Sequence, residues 1–360
     1  IKDKLLVVEA ASHPKVLENL YFLFNKHFIT SFLTIPDKYK NYSQLMPDVY
    51  NSGTLKITFH STLIFLQLIF IGFRYKYIHI STGPESYHYS RLWTKPLFLI
   101  FCFLYKKKVL LTIKNSNHYL KNRNLNFSYY ALRYINIILF ETNTTKTYFD
   151  NKTNNYFNTY VIYDRYIDQL PSRYIGLKSR QDDSLQRNFK IGLLGSLNSS
   201  RRDYDLLIKV FNKLNTDLLD RFELILLGEC RNGKLNEIAI KLSQSISFKF
   251  KCGFLDVDEF DNLGSSCDIL ISPLINDKNY GTVNGSGSFG DAVYLRKPII
   301  IPQRVDPMHE FSDISFYYEN YMDLIYIFEN IELFLNKYDS DNLEKYSSDN
   351  VYSKLLKKIL

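Results

Sequence analysis

Short β-rich runs alternate with amphipathic segments from one end of the chain to the other, and this alternation restricts the fold more than any single motif. It is the pattern of parallel sheets covered by helices. In the first half KLLVVEA, FITSFLTI, KYIHIS, KKVLLTI, INIILFET and TYVIYD read as strands. A polar, irregular stretch from about Asp164 to Asn188 follows, without sustained periodicity. The second half restarts the same grammar with FKIGLLG, FELILLG, ISFKFKCGF, CDILISP and KPIIIP, then ISFYYE, and the chain closes on a Lys-rich helical segment from about Tyr321 to Leu360.

A chain of 360 residues has room for two domains, each large enough to bury its own core. That length excludes a small disulfide-stapled module, and apolar residues at 46% with charged residues at 23% exclude wholesale disorder. The expected architecture is α/β, two Rossmann-like domains in tandem. Residues 1–165 form the first domain, 166–188 a linker, 189–324 the second domain and 325–360 a terminal helical segment. No solenoid-type repeat and no low-complexity tract interrupts the pattern.

Lys and Arg number 45 against 37 Asp and Glu, a net charge of +8, which suggests an anionic partner: a nucleotide, phospholipid headgroups or nucleic acid. No helix-turn-helix, RRM or zinc pattern supports nucleic acid. The 29 Tyr and 27 Phe are what codon bias in an AT-rich genome would produce, and carry no weight as a sign of ligand binding. Cys102, Cys230, Cys252 and Cys267 lie far apart with no C-x-x-C pair and read as reduced core thiols. The start, IKDKLLVVEAAS, lacks the long apolar core of a signal peptide, so a cytoplasmic protein is expected.

Two stretches bear on membranes. TLKITFHSTLIFLQLIFIGF, at 54–73, is interrupted by Lys56, His60 and Gln67 and reads as a core helix. PLFLIFCFLY, at 96–105, stops at Lys106, Lys107 and Lys108, which suits a helix end resting on the anionic inner leaflet of the cytoplasmic membrane, or a solvated basic turn before a buried strand.

In the second half, IGLLGSLNSSRRDYDLLIKVF, FELILLGE, KFKCGFLDVDEFDNLGSSCDILISPL and GTVNGSGSFGDAVYLRKPIIIP follow one another in an order that resembles the nucleotide-sugar-binding domain of GT-B glycosyltransferases, especially bacterial ones that build capsule, O-antigen or exopolysaccharide. The resemblance covers Phe189 to Leu324. The first half matches by architecture and by LLTIKNSNHY, which sits where many relatives carry Thr, an apolar residue, then His; Lys114 occupies the histidine's place. The resemblance implies two Rossmann-like domains facing each other across a cleft, with the donor on the second and the acceptor on the first.

Within Gly281–Gly290, Gly285 and Gly287 can take positive φ and admit a ligand close to the main chain, while Ser286 and Ser288 supply hydroxyls at a helix start. Such a loop cradles a diphosphate, or serves only as a tight strand-to-helix turn. The resemblance places Asp291 on the ribose hydroxyls, although an acid in a helix's first turn also complements the dipole. It places Gly195 in the first glycine turn, Arg201 and Arg202 beside the donor phosphates, and Phe254 and Leu255 around the base, with Phe254 also readable as core. Retaining relatives carry a glutamate where Val283 stands, which leaves retention or inversion open. Asp256, Val257 and Asp258 spell D-x-D, but Asp256 with Glu259 reads as a helix capping box, so no metal is expected.

Strand-end residues of the first half are the acceptor-side candidates: His13, His79, Lys114 and Asn115 for binding, and Glu85, His88 and His118 for proton transfer. The expected activity is transfer of a sugar from a UDP-linked donor to a lipid-linked or surface glycan. The alternative is a catalytically silent GT-B-like protein that binds nucleotide or sugar.

Overall fold

A computed structural model describes residues 2–9, 14–34, 55–57, 64–81, 91–106, 108–121, 126–175, 188–230, 235–253, 255–275 and 279–359. The chain divides into two compact units. The first comprises Ile1–Asp164, Thr282–Gly285 and Ser348–Leu360, and the second Arg165–Gly281 and Ser286–Ser347.

The first unit is built on seven parallel strands: β1 (Lys4–Glu9), β2 (Ile29–Thr34), β3 (Leu55–Ile57), β4 (Tyr77–Ile80), β5 (Val109–Thr112), β6 (Ile137–Phe140) and β7 (Thr159–Val161). Their spatial order is β3-β2-β1-β4-β5-β6-β7, with β1 pairing in parallel to both β2 and β4. Every residue of β4, β5 and β6 is buried, as expected for strands covered on both faces. Phe65, Phe98, Phe101, Phe140 and Phe149 fill one side of this sheet. The stretch at 54–73 is not the single helix expected: Leu55–Ile57 is the edge strand β3, and the helix spans Ile64–Ile71.

The second unit carries six parallel strands: β8 (Phe189–Leu194), β9 (Phe222–Leu227), β10 (Ser247–Lys249), β11 (Ile269–Ile271), β12 (Ile299–Pro302) and β13 (Ser315–Tyr318), in the order β10-β9-β8-β11-β12-β13. Each sheet therefore reverses its winding once, at β1/β4 and at β8/β11, the Rossmann topology expected from the sequence. Tyr166, Ile167 and Leu170, from the stretch expected to be a linker, are buried in this unit.

The expected terminal segment 325–360 is split. Residues up to Ser347 stay with the second unit, and the helix Ser348–Ile359 belongs to the first. There Tyr352 stacks on His27 at 3.6 Å and meets Phe24 and Phe28 edge-on, and Leu355 is fully buried. Of the four thiols, Cys102, Cys230 and Cys267 are buried as expected, whereas Cys252 is exposed just beyond β10.

At the carboxyl ends of β8 and β9 two glycines bring the main chains together: a Cβ on Gly228 would lie 2.1 Å from the carbonyl oxygen of Gly195. The obstruction is backbone, so it cannot swing aside. Gly228→Ala is expected to destabilise the protein by ~1–3 kcal/mol, read as a lower urea midpoint with an unchanged slope.

Candidate functional site

In an open parallel sheet, ligands are taken beyond the carboxyl ends of the strands, beside the switch in strand order. In the second unit that place lies where β8 and β11 end. Gly195 leaves β8 with φ +84, and a Cβ there would fall 1.9 Å from a guanidinium nitrogen of Arg202. Arg202 is thus packed flat against the glycine turn, and its Nη1 donates to the Ser196 carbonyl at 3.3 Å. Burial presses its pKa below the ordinary arginine value. Among the described residues Arg202 forms no ion pair, and its Nε is buried without a partner. Arg201 points the other way, donating from Nε and Nη2 to the Tyr280 hydroxyl at 3.1 and 2.9 Å.

The loop after β11 differs from expectation in how its glycines are used. Gly281, not Gly285 or Gly287, takes the positive φ, at +77, and a Cβ on it would meet the Arg304 carbonyl at 2.2 Å. Gly287 begins the helix Gly287–Leu295, and Ser286 is its N-cap, accepting from the Ser288 N–H at 3.3 Å. The Ser288 hydroxyl turns inward to Ser272, 2.8 Å away, so it is not offered to a ligand, and the N–H groups of Ser288 and Phe289 are both taken by Ser286.

Asp291 lies on the same helix and accepts from Arg165 Nη1 at 2.9 Å. Arg165 is buried, its guanidinium 3.7 Å from the centre of the Tyr294 ring and 5.5 Å from that of Phe260. That box fixes one carboxylate oxygen of Asp291. Leu255 is buried, and Phe254 lies outside the described residues. Asp256 caps the helix Val257–Ser266 through a reciprocal pair with Glu259, at 2.8 and 3.2 Å, while Asp258 pairs with Arg173. Among the described residues no cluster of His, Cys, Asp and Glu could hold a metal ion.

The strand ends of the first unit gather a second cluster, which the sequence reading named only through Lys114. Glu9 closes β1 and is fully buried, accepting a hydrogen bond from Ser81 beyond β4. Lys114, two residues past β5, donates to Glu141, next after β6, and lies 3.6 Å from Asp164. Burial alone would lower the Lys114 pKa, but the charges of Glu141, Asp164 and Glu9 outweigh it and hold the lysine above its ordinary value. Burial raises the Glu141 carboxyl; Lys114 opposes that shift and Asp164 adds to it. Glu141 and Asp164 also line a shallow recess with Asn19, Thr112 and Tyr163. Within this unit a Cβ on Gly285 would stand 3.4 Å from Glu141 Oε2.

Other acceptor-side candidates fare differently. His79 is a core residue: it lies inside β4, fully buried, with Nε2 2.8 Å from Thr112 Oγ1 and its ring edge-on to Phe24. Burial lowers its pKa to about 3, so it stays neutral and does not reach an acceptor. Asn115 spends its side-chain oxygen capping the helix Ser116–Leu120 and bridges to Asn284 through the main chain. His118 is exposed on that helix. His13, Glu85 and His88 lie outside the described residues.

No family model matches the sequence, and no curated protein does. Solved structures match over its full length. HepE from Anabaena, in complex with UDP, is 14% identical with a TM-score of 0.66, covering 100% of this chain and 99% of that one. The N-terminal domain of Candida albicans trehalose-6-phosphate phosphatase is 11% identical at 0.65, covering 100% and 97%. Sucrose-phosphate synthase from Thermosynechococcus elongatus is 9% identical at 0.63, covering 99% and 98%. The fold is therefore GT-B, two Rossmann-like domains in one chain.

Lys114→Met tests the first-unit cluster. Without the cation, burial and Asp164 act on Glu141 unopposed, and its folded pKa rises further above the ~4.3 of an unfolded chain. The folded variant then keeps a proton that the unfolded chain has released, so its stability falls as pH rises through that window. The loss should be ~3–5 kcal/mol at pH 8 and smaller at pH 5, measured by urea unfolding at both. An equal loss at the two pH values would show that the carboxylates do not couple to Lys114.

Proposed function

We propose that the protein is a glycosyltransferase that draws a sugar from a UDP-linked donor held by the second unit and passes it to a hydroxyl of a surface or lipid-linked glycan bound by the first. The observation that carries this reading is Arg202, a part-buried guanidinium at the β8 turn with no ion pair among the described residues. A cation placed there at a desolvation cost fits an anion supplied from outside, and a planar guanidinium matches the oxygen pair of a diphosphate. The helix starting at Gly287 adds the positive end of its dipole. Solved structures of the same fold support the donor class: HepE is described in complex with UDP-glucose, and the UDP-forming trehalose-phosphate synthase of Burkholderia xenovorans in complex with glucose-6-phosphate.

In this reading Arg201 and Arg202 neutralise the leaving diphosphate without a metal, Asp291 accepts from the ribose with the oxygen Arg165 leaves free, and Leu255 flanks the base. Glu141 is the general base. A carboxylate raised by burial is closer to the pH at which it must take a proton than an exposed one, and Lys114 keeps it ionised. A base on the acceptor side belongs to an inverting transfer.

Arg202→Ala should weaken UDP binding ~10- to 150-fold while changing uridine binding little, because the lost contact is to phosphate charge. Calorimetry with both ligands decides it; equal losses would remove Arg202 from the phosphate site. Glu141→Gln should lower kcat ~10²- to 10⁴-fold with UDP affinity preserved, and the product anomer seen by NMR should be inverted. Val283, buried where retaining relatives have a glutamate, favours one other reading, a protein that binds UDP without transfer. UDP affinity with no hydrolysis or transfer of any UDP-sugar would establish that reading.

A further inference from the structure

Two neighbouring helices of the first unit, Ile64–Ile71 and Arg91–Leu104, each leave an apolar stripe in solvent. On one, Leu66 and Phe70 stand at i and i+4, and Phe73 follows in the 3-10 turn Gly72–Arg74, with Phe70 66% and Phe73 65% exposed. On the other, Ile100, Phe103 and Leu104 stand 48%, 55% and 54% exposed at i, i+3 and i+4. Tyr105 ties the two helix ends together: its hydroxyl donates to the Ile69 carbonyl at 2.6 Å, and its ring packs against Gly72. The exposed side chains at 70–73 and 100–104 therefore belong to one region of surface. Isolated exposed apolar residues are ordinary, but several large ones on adjoining helices mark an interaction surface.

Its rim is basic. Arg74 lies 5.5 Å over the Phe73 ring, Lys108 6.0 Å over Tyr105, Arg133 5.5 Å over Tyr130, and Lys106 is exposed just past the helix end. The sequence around it is depleted of acid to an unusual degree. From Val49 to Phe140 there are twelve Lys and Arg and one acidic residue, Glu85, so the chain's whole positive excess falls here.

We infer that this face docks on an anionic phospholipid bilayer, with Phe70, Phe73, Ile100, Phe103 and Leu104 entering the headgroup layer and Arg74, Lys106, Lys108 and Arg133 resting among the phosphates. The charge decides the occupant. A second copy presenting the same face would bring two basic rims together with no acids to offset them. A nucleic acid would pair with the rim but leave the aliphatic centre unused. A bilayer surface satisfies both, apolar below and anionic above. No helix among the described residues is long and apolar enough to cross a membrane, so the attachment is peripheral. The inference does not rest on the donor chemistry, and its test needs no nucleotide.

Co-sedimentation of the full chain with vesicles of phosphatidylcholine containing phosphatidylglycerol should show binding at low salt that is lost at ~0.5 M NaCl, and little binding to phosphatidylcholine alone. Lys106→Glu with Lys108→Glu should weaken binding at least ~10-fold, and Phe70→Ser with Phe103→Ser by a similar factor. All four side chains are exposed or at the rim, so both double variants should keep the wild-type circular dichroism and melting temperature. No binding at low salt, equal binding to neutral vesicles, or full binding by either variant would overturn the inference. So would a dimer in sedimentation velocity that the Phe70→Ser, Phe103→Ser variant dissolves, because the face would then belong to a second copy.

Discussion

Both sheets are wholly parallel, and a parallel sheet must be covered on both faces. That requirement turns the central strands into buried apolar runs and leaves the row of carboxyl-terminal strand ends as the place where polar groups can gather without disturbing a core. β4, β5 and β6 are buried at every position, and Thr112 and His79, the polar residues among them, face each other inside the sheet. Ionisable chemistry is displaced to the residues just past the strands. Glu9, Ser81, Lys114 and Glu141 are all strand-end residues in the first unit, as Gly195 and Ser272 are in the second.

How the main chain leaves a strand then decides what can stand there. β8 ends on a glycine with positive φ, and the room a side chain would have taken is occupied by the Arg202 guanidinium. Gly228 allows β9 to end against the same turn. These two glycines are where the backbone makes space for a cation. By contrast Gly285 and Gly287 have φ that any residue could adopt, and it is Ser286, as N-cap, that sets the start of the helix.

The alternation of strands and helices was legible in the sequence, because buried parallel strands are apolar runs with polar stops. Each of the twelve runs read as strands contains one. β3 was missed because three residues give no period and Leu55–Ile57 adjoins an apolar stretch of helical length. His79 was misplaced for a related reason: in a strand buried on both faces, alternation says nothing about which residue reaches the end of the sheet. Glu9 and Glu141 had a readable signal, an acid closing or directly following an apolar strand, and it was passed over in favour of histidines. Arg165 and Tyr280 had none, since their roles come from partners 126 and 79 residues away in the chain. Nor does the presence of glycine in a loop disclose which one takes positive φ, which is why Gly281 was not singled out.

The two strand-end clusters carry opposite electrostatics. In the second unit Arg202 is a cation whose burial is not offset by any ion pair among the described residues, and the one nearby carboxylate that acts on it, Asp291, is committed to Arg165. In the first, Lys114 is shared among Glu141, Asp164 and Glu9; burial raises the Glu141 carboxyl, Lys114 opposes that shift and Asp164 adds to it. An uncompensated cation suits a ligand that arrives negatively charged and leaves more so. A carboxylate raised by burial suits a neutral hydroxyl that must lose a proton. Exchanging the two clusters would reverse both preferences: carboxylates would repel an anionic ligand, and a protonated guanidinium cannot accept a proton.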